Sequence, residues 1–262
     1  LLLPAGPKSP RISLNSSTTS STAAAKIPAM MAMERLSRRG GSSSSGSTNN
    51  GGNSESEDNN SANSPKLQPS IVMEAYNICS NVKNEHVVSC VFSATNPNTA
   101  YSVTRGRVGL TMKDSAGKTL ETTYFMLQTI APGDTVRFAY TYTCKNGRPS
   151  SVSCSQPSTT SSSFKDPTGA IKANELSAEI TEVSSPDGLN YNRFSGSVTN
   201  KSRYPSECTQ ISIILKKNGK IVSSDFLLLT IPIPSGGKSN FTLYHTKDVS
   251  FDSYEVIATP WF

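Results

Sequence analysis

Beyond residue 70 the chain is organised by alternation. Ile211, Ile213 and Leu215 alternate with Ser212 and Lys216, and Ile214 is the one apolar residue on the polar side of that run. A period of two predicts a strand with one buried face. Asn218-Gly219 follows, the dipeptide that supplies positive φ at both centres of a tight hairpin turn. The returning strand is expected over Ile221–Ile231, stopped by Pro232 and Pro234, which cannot donate to a ladder. Upstream, Val108, Leu110 and Met112 lead through Asp114-Ser115-Ala116-Gly117 into Leu120, Thr122, Tyr124 and Met126. Phe138, Tyr140 and Tyr142 share one face of a later strand, with Ala139, Thr141 and Thr143 on the other. A core needs such an aromatic face, so stacking of nucleic acid on it is the weaker reading. No stretch has sustained helical periodicity.

These strands repeat. Lys113-Asp-Ser-Ala-Gly-Lys118 matches Lys216-Lys-Asn-Gly-Lys220, and Tyr124-Phe-Met-Leu127 matches Phe226-Leu-Leu-Leu229. Ile130-Ala-Pro-Gly-Asp134 likewise matches Pro232-Ile-Pro-Ser-Gly236, at an offset of about 103 residues that internal duplication would leave. The expected organisation is all-β: two tandem immunoglobulin-like antiparallel β-sandwiches at 71–164 and 174–262, joined by a linker at 165–173.

Residues 1–70 are of another kind. They contain 21 Ser and Thr, no Phe, Tyr or Trp, and the run Gly40-Gly41-Ser42-Ser43-Ser44-Ser45-Gly46. Such a segment buries too little apolar surface to offset chain entropy, so a disordered arm or linker is expected. Its first 50 residues carry Lys8, Arg11, Lys26, Arg35, Arg38 and Arg39 against Glu34 alone, and with Glu55, Glu57, Asp58 and Lys66 the whole segment holds a net +3, half of the formal charge of +6. Scattered charges without aromatics point away from nucleic acid as the main partner.

Phe194-Ser-Gly196-Ser-Val198-Thr-Asn200-Lys-Ser202, followed by an alternating strand, a Gly turn and a Phe-bearing strand, resembles the FxLYD-type sandwich modules of bacterial envelope and secreted proteins. Phe241-Thr-Leu-Tyr-His245 is similar to the aromatic signature of that family, placed on a later strand. The resemblance implies an extracellular or envelope location and carries no catalytic residue with it.

Five cysteines without a Cys-x-x-Cys motif argue against a zinc site. Cys79 with Cys90, and Cys144 with Cys154, flank short turns and are candidate cross-strand disulfides. Cys90 bridged to Cys144 or Cys154 across the sheets, or five free thiols, are the arrangements left open; Cys208 has no partner by position. His86 and His245 are expected at exposed or strand-edge positions, with no nucleophile motif beside them. Asp248 and Asp252 read as turn residues, and Asn15, Asn59, Asn200 and Asn240 fall in chance Asn-x-Ser/Thr triplets. Trp261 and Phe262 make an apolar end, a candidate contact surface.

The expected function is a non-catalytic binding or structural protein of the cell envelope or secreted space, presenting two modules on a flexible spacer. It uses no cofactor or metal, and its partner is a protein or cell-surface ligand. Membrane contact is expected only through an anchor outside this sequence. The alternative is a coat or shell component whose basic arm contacts nucleic acid or another subunit.

Overall fold

The computed structural model describes residues 66–81, 83, 85–157 and 163–261, all within one compact unit. The expected disordered arm falls outside these residues, apart from 66–70. Fourteen strands and one short 3-10 turn make up the described secondary structure, with no α-helix among the described residues.

The first module contains β1 (Ser70–Ser80), β2 (His86–Thr95), β3 (Ser102–Thr104), β4 (Arg107–Lys113), β5 (Thr119–Met126), β6 (Thr135–Cys144), β7 (Ser151–Cys154) and β8 (Ser163–Lys165). One sheet has the order β1-β2-β6 and the opposing one β5-β4-β7, every pairing antiparallel. After the 3-10 turn Ala173–Glu175, the second module contains β9 (Leu176–Ser184), β10 (Tyr191–Asn200), β11 (Thr209–Lys217), β12 (Lys220–Leu229), β13 (Lys238–Thr246) and β14 (Ser253–Pro260). Its sheets run β13-β10-β9 and β12-β11-β14. β1, β2, β4, β5, β6 and β7 thus have counterparts in β9, β10, β11, β12, β13 and β14.

Period-two burial builds each interior. In the first module Val88, Cys90, Phe92 and Ala94 of β2 face Val108, Leu110 and Met112 of β4. Phe92, Phe125 and Phe138 pack together with ring centroids 5.0 to 6.1 Å apart. Phe138 is buried, and Tyr140 and Tyr142 pack at the margin of the same core. The second module has its own interior, around Ile211, Val198 and Phe241 at one end and Phe194, Ile213, Leu215 and Leu243 at the other.

Turn chemistry closes the strands where the sequence places it. Asn218 and Gly219 have φ of 51° and 75°, as the hairpin between β11 and β12 requires. Asp114 accepts hydrogen bonds from the backbone of Ala116 and Lys118 at the matching hairpin of the first module. Gly196, in the middle of β10, admits no side chain, because a Cβ there would lie 2.1 Å from the Glu179 carbonyl oxygen.

One polar device appears in both modules. Asn96, at 0% exposure, donates to the carbonyls of Tyr101, Ile130 and Ala131, and its Oδ1 accepts from Asn98. Asn200, also at 0%, donates to Tyr204 and Ile233 and accepts from Ser202. Each anchors the loop leaving a central strand beside an isolated bridge, Val103 to Ile130 or Ser206 to Ile233. The same residue type doing the same work 104 positions apart is the structural trace of the repeat, and it removes Asn200 from any glycosylation.

Truncating such an anchor leaves several buried backbone groups unpaired. Asn200→Ala is expected to destabilise the protein by about 3 kcal/mol, with Asn96→Ala comparable. Urea unfolding of the two variants measures this, and a loss below about 1 kcal/mol would show that the loop does not depend on the anchor.

Candidate functional site

The two sandwiches do not hang from a linker as separate beads. The β1-β2-β6 sheet of the first meets the β12-β11-β14 sheet of the second. β11 is consequently buried on both faces: Ile211, Ile213 and Leu215 fill their own module, while Gln210, Ser212 and Ile214, at 1%, 0% and 0% exposure, lie under the other. Ile214, the residue that interrupts the alternation of β11, is therefore a seam residue.

The seam is polar and internally paired. β6 is an edge strand, and Ala139 turns its N–H and C=O away from β2 toward the second module. Its N–H donates to Ser212 Oγ at 3.0 Å, and its carbonyl accepts from Gln210 Nε2 at 2.7 Å. Gln128 in turn donates to Gln210 Oε1. Ser224 Oγ donates to the Cys90 carbonyl at 3.1 Å, and Asn77 donates to the Val222 carbonyl. Tyr140 and Phe226 stack with centroids 5.9 Å apart. Gln156 clasps Ile71 on the edge strand β1 through both its N–H and C=O. Edges of β1 and β6 are thereby occupied by amide side chains, which blocks pairing with a foreign strand there.

An ion-pair network ties the seam at its rim. Arg137 of β6 contacts Glu74 of β1 at 2.8 Å and Glu255 of β14 at 2.5 Å, and Lys216 of β11 contacts Glu255 at 2.9 Å. These side chains are 25% to 35% exposed. Burial pushes the Glu255 carboxyl up, but hydrogen bonds from Arg137 and Lys216 outweigh it and hold the group below the usual carboxylate range. Burial pulls the Arg137 guanidinium down, and Glu255 and Glu74 more than reverse this.

His245 is a correction to the sequence reading. It lies near the end of the edge strand β13, but at 4% exposure it is buried rather than open to solvent. Its Nδ1 lies 2.8 Å from the Thr246 carbonyl, which only accepts, so Nδ1 donates there, and Nε2 is hydrogen-bonded with Ser223 Oγ at 2.9 Å. Ser223 also lies 3.3 Å from Ser89 Oγ of the first module. The pair has the connectivity of a nucleophile and an oriented base, yet Ser223 is 1% exposed, so the chain of hydroxyls and imidazole joins the modules. His86, by contrast, sits half-buried at the start of β2.

The cross-strand disulfides expected from sequence do not form; all five cysteines are free thiols. In the register of β1 and β2, Cys79 pairs with Val87 and Cys90 with Tyr76, which puts the two cysteines on opposite faces. Cys144 is paired with His86 at the far end of β2, whereas Cys154 is paired with Leu110 on β4 beside the level of Met73 and Phe92. Burial pushes the Cys90 and Cys208 thiols up to about 12, and raises those of Cys79, Cys144 and Cys154. None carries the lowered value of an activated thiolate.

Other polar and aromatic side chains of the second module have structural roles. Asp252 accepts from the Asn218 backbone and from Ser253, bracing the hairpin. Glu179 pairs with Lys238, and Glu182 with Arg193. Trp261 is 8% exposed, its N–H donating to the Cys208 carbonyl and its own carbonyl accepting from Thr129 of the first module. It is thus an intramolecular contact, and Phe262 lies outside the described residues. Among the described residues no three His, Cys, Asp or Glu gather to hold a metal. An open groove of about 620 Å³ lies at one end of the seam, lined by Tyr76, Cys79, Lys217, Ile221, Asp248 and Ser250.

No family model matches the chain, and no curated protein matches it. Among solved structures, red sea bream transglutaminase aligns over 70% of this chain and 27% of its own, at 11% identity and a TM-score of 0.24. A point mutant of Bacillus subtilis oxalate decarboxylase aligns over 74% and 77%, at 8% identity and a TM-score of 0.10. Both likenesses are too slight to carry an argument.

Arg137→Ala is expected to cost about 1 kcal/mol at neutral pH, a discounted figure because the network is partly exposed to water and screening. Glu255 has its pKa depressed by folding, so its contribution is full above the unfolded carboxylate value of about 4.3 and is lost as pH falls through the lower folded value. Unfolding measured from neutral pH down to about pH 3 should therefore show wild type and variant converging in acid. A gap that stays constant would remove the network from the account of the seam.

Proposed function

We propose that the chain is a non-catalytic binding or structural protein of the cell envelope or secreted space, of the FxLYD-like kind, that presents two β-sandwich modules as one rigid body behind a Ser/Gly/Asn-rich N-terminal segment. The observation that carries this reading is the seam. A polar lock of buried amides, hydroxyls and a histidine, closed by an ion-pair network, gives the two modules one relative orientation. Loops at the ends of both sandwiches then sit at set positions, which favours recognition of an extended protein or cell-surface ligand. Loop ends, and the edge strands β9 and β13 of the second module, are the surfaces such a ligand would use.

The test is location together with partner class. Intact source cells treated with a non-permeant biotin reagent should label the full chain, and labelling only after lysis would overturn the proposal. Binding of the purified full chain to single-stranded DNA, steeply weakened by salt and abolished by deleting residues 1–50, would instead establish a nucleic-acid-contacting shell component.

A further inference from the structure

The register that separates the expected cysteine pairs brings a different pair together. Cys90 lies on the central strand β2 at 0% exposure, its side chain in the core of the first module. Cys154 pairs with the core residue Leu110 in the opposing sheet, so it faces the same interior, and it packs against that core while remaining half-buried. Segments around it fix its height along the sandwich: Gln156, two residues on, is hydrogen-bonded to Ile71 of β1. The Cys154 sulfur is within reach of a hydrogen bond from the Met73 backbone. Met73 pairs with Phe92 on β2, and Cys90 is the next residue along β2 that faces inward. Cys90 and Cys154 therefore project from opposing sheets into one interior, Cys154 beside the Met73–Phe92 pair and Cys90 one inward-facing position along β2 from it. The Cys90 thiol also feels the charge of Cys154, after the larger effect of burial.

The other thiols are excluded by placement. Cys79 is on the opposite face of the sheet, and Cys208 is buried in the second module. Cys144, paired with His86, lies six residues of β2 from the level of Phe92, about 20 Å.

We propose that Cys90 and Cys154 are a site of disulfide formation, joining the two sheets of the first module when the protein meets a disulfide oxidant such as oxidised glutathione. Cys154, the more accessible thiol, loses its proton and attacks the glutathione disulfide; a mixed disulfide forms and one glutathione thiolate leaves. Cys90 then loses its proton and attacks the Cys154 sulfur, releasing the second glutathione. Two protein thiols give up two electrons and two protons, and one glutathione disulfide becomes two thiols. Burial of Cys90 makes the second step slow in the closed sandwich, so the bond forms during folding or local opening. The proposal stands on the interior of the first module and does not rest on the location proposed above.

The full chain is refolded with oxidised and reduced glutathione, denatured with alkylating reagent present, and analysed by intact mass and peptide mapping. Three alkylated cysteines and a linked peptide pair containing Cys90 and Cys154 are expected. Five alkylated cysteines, or Cys90 linked to any other cysteine, would overturn the proposal. Because the closed loop is long, the oxidised protein should melt roughly 10 °C above the reduced one. In Cys154→Ala the linked pair and this shift should both vanish, and persistence of the shift would assign it to another cause. The mass reading on wild-type protein is decisive whether or not the variant folds.

Discussion

Everything else in this molecule is arranged around a strand that is buried twice. β11 is the middle strand of its own sheet, and its second face is covered by the neighbouring module. A strand in that position cannot leave any polar group to solvent, so each one on its outer face needs a partner. Gln210 and Ser212 find theirs on Ala139, at the free edge of β6. The interaction serves both sides: amide and hydroxyl escape the cost of dry burial, and an edge strand is closed to outside pairing.

That reciprocity explains why the seam is polar although it is buried. An apolar face on each module would bind its counterpart with little preference for one angle, and would be an aggregation hazard whenever the modules parted. Directional hydrogen bonds work only at one alignment. Ser89, Ser223 and His245 add a chain that crosses the boundary, and Arg137 and Glu255 clamp its rim. The same burial that makes these contacts specific leaves Ser223 and His245 at 1% and 4% exposure.

How much of this was legible beforehand depended on whether the information was local. Asn218-Gly219, Asp114 and the prolines after β12 act through their own backbone, so the hairpins followed from a few residues each. Phe138, Tyr140 and Tyr142 declared their face through spacing. The cysteines did not behave this way. The turn sets a register in which Cys90 pairs with Tyr76, three residues from Cys79 on β1, so two cysteines that flank one turn end on opposite faces. The buried role of His245 was equally hidden, because its environment comes from β12 and from the first module. Ile214 was the one local sign of the seam, an apolar side chain where alternation called for a polar one.

The amino-acid order by itself determined the all-β plan and the turns, because period-two burial and positive-φ dipeptides act within a strand or a hairpin. Tertiary structure alone decided that the modules dock, which thiols share an interior, and that Gln210, Ser212, Ser223 and His245 lock a boundary. Those outcomes depend on register and on the relative placement of sheets, and neither is encoded in the spacing of residues along one strand.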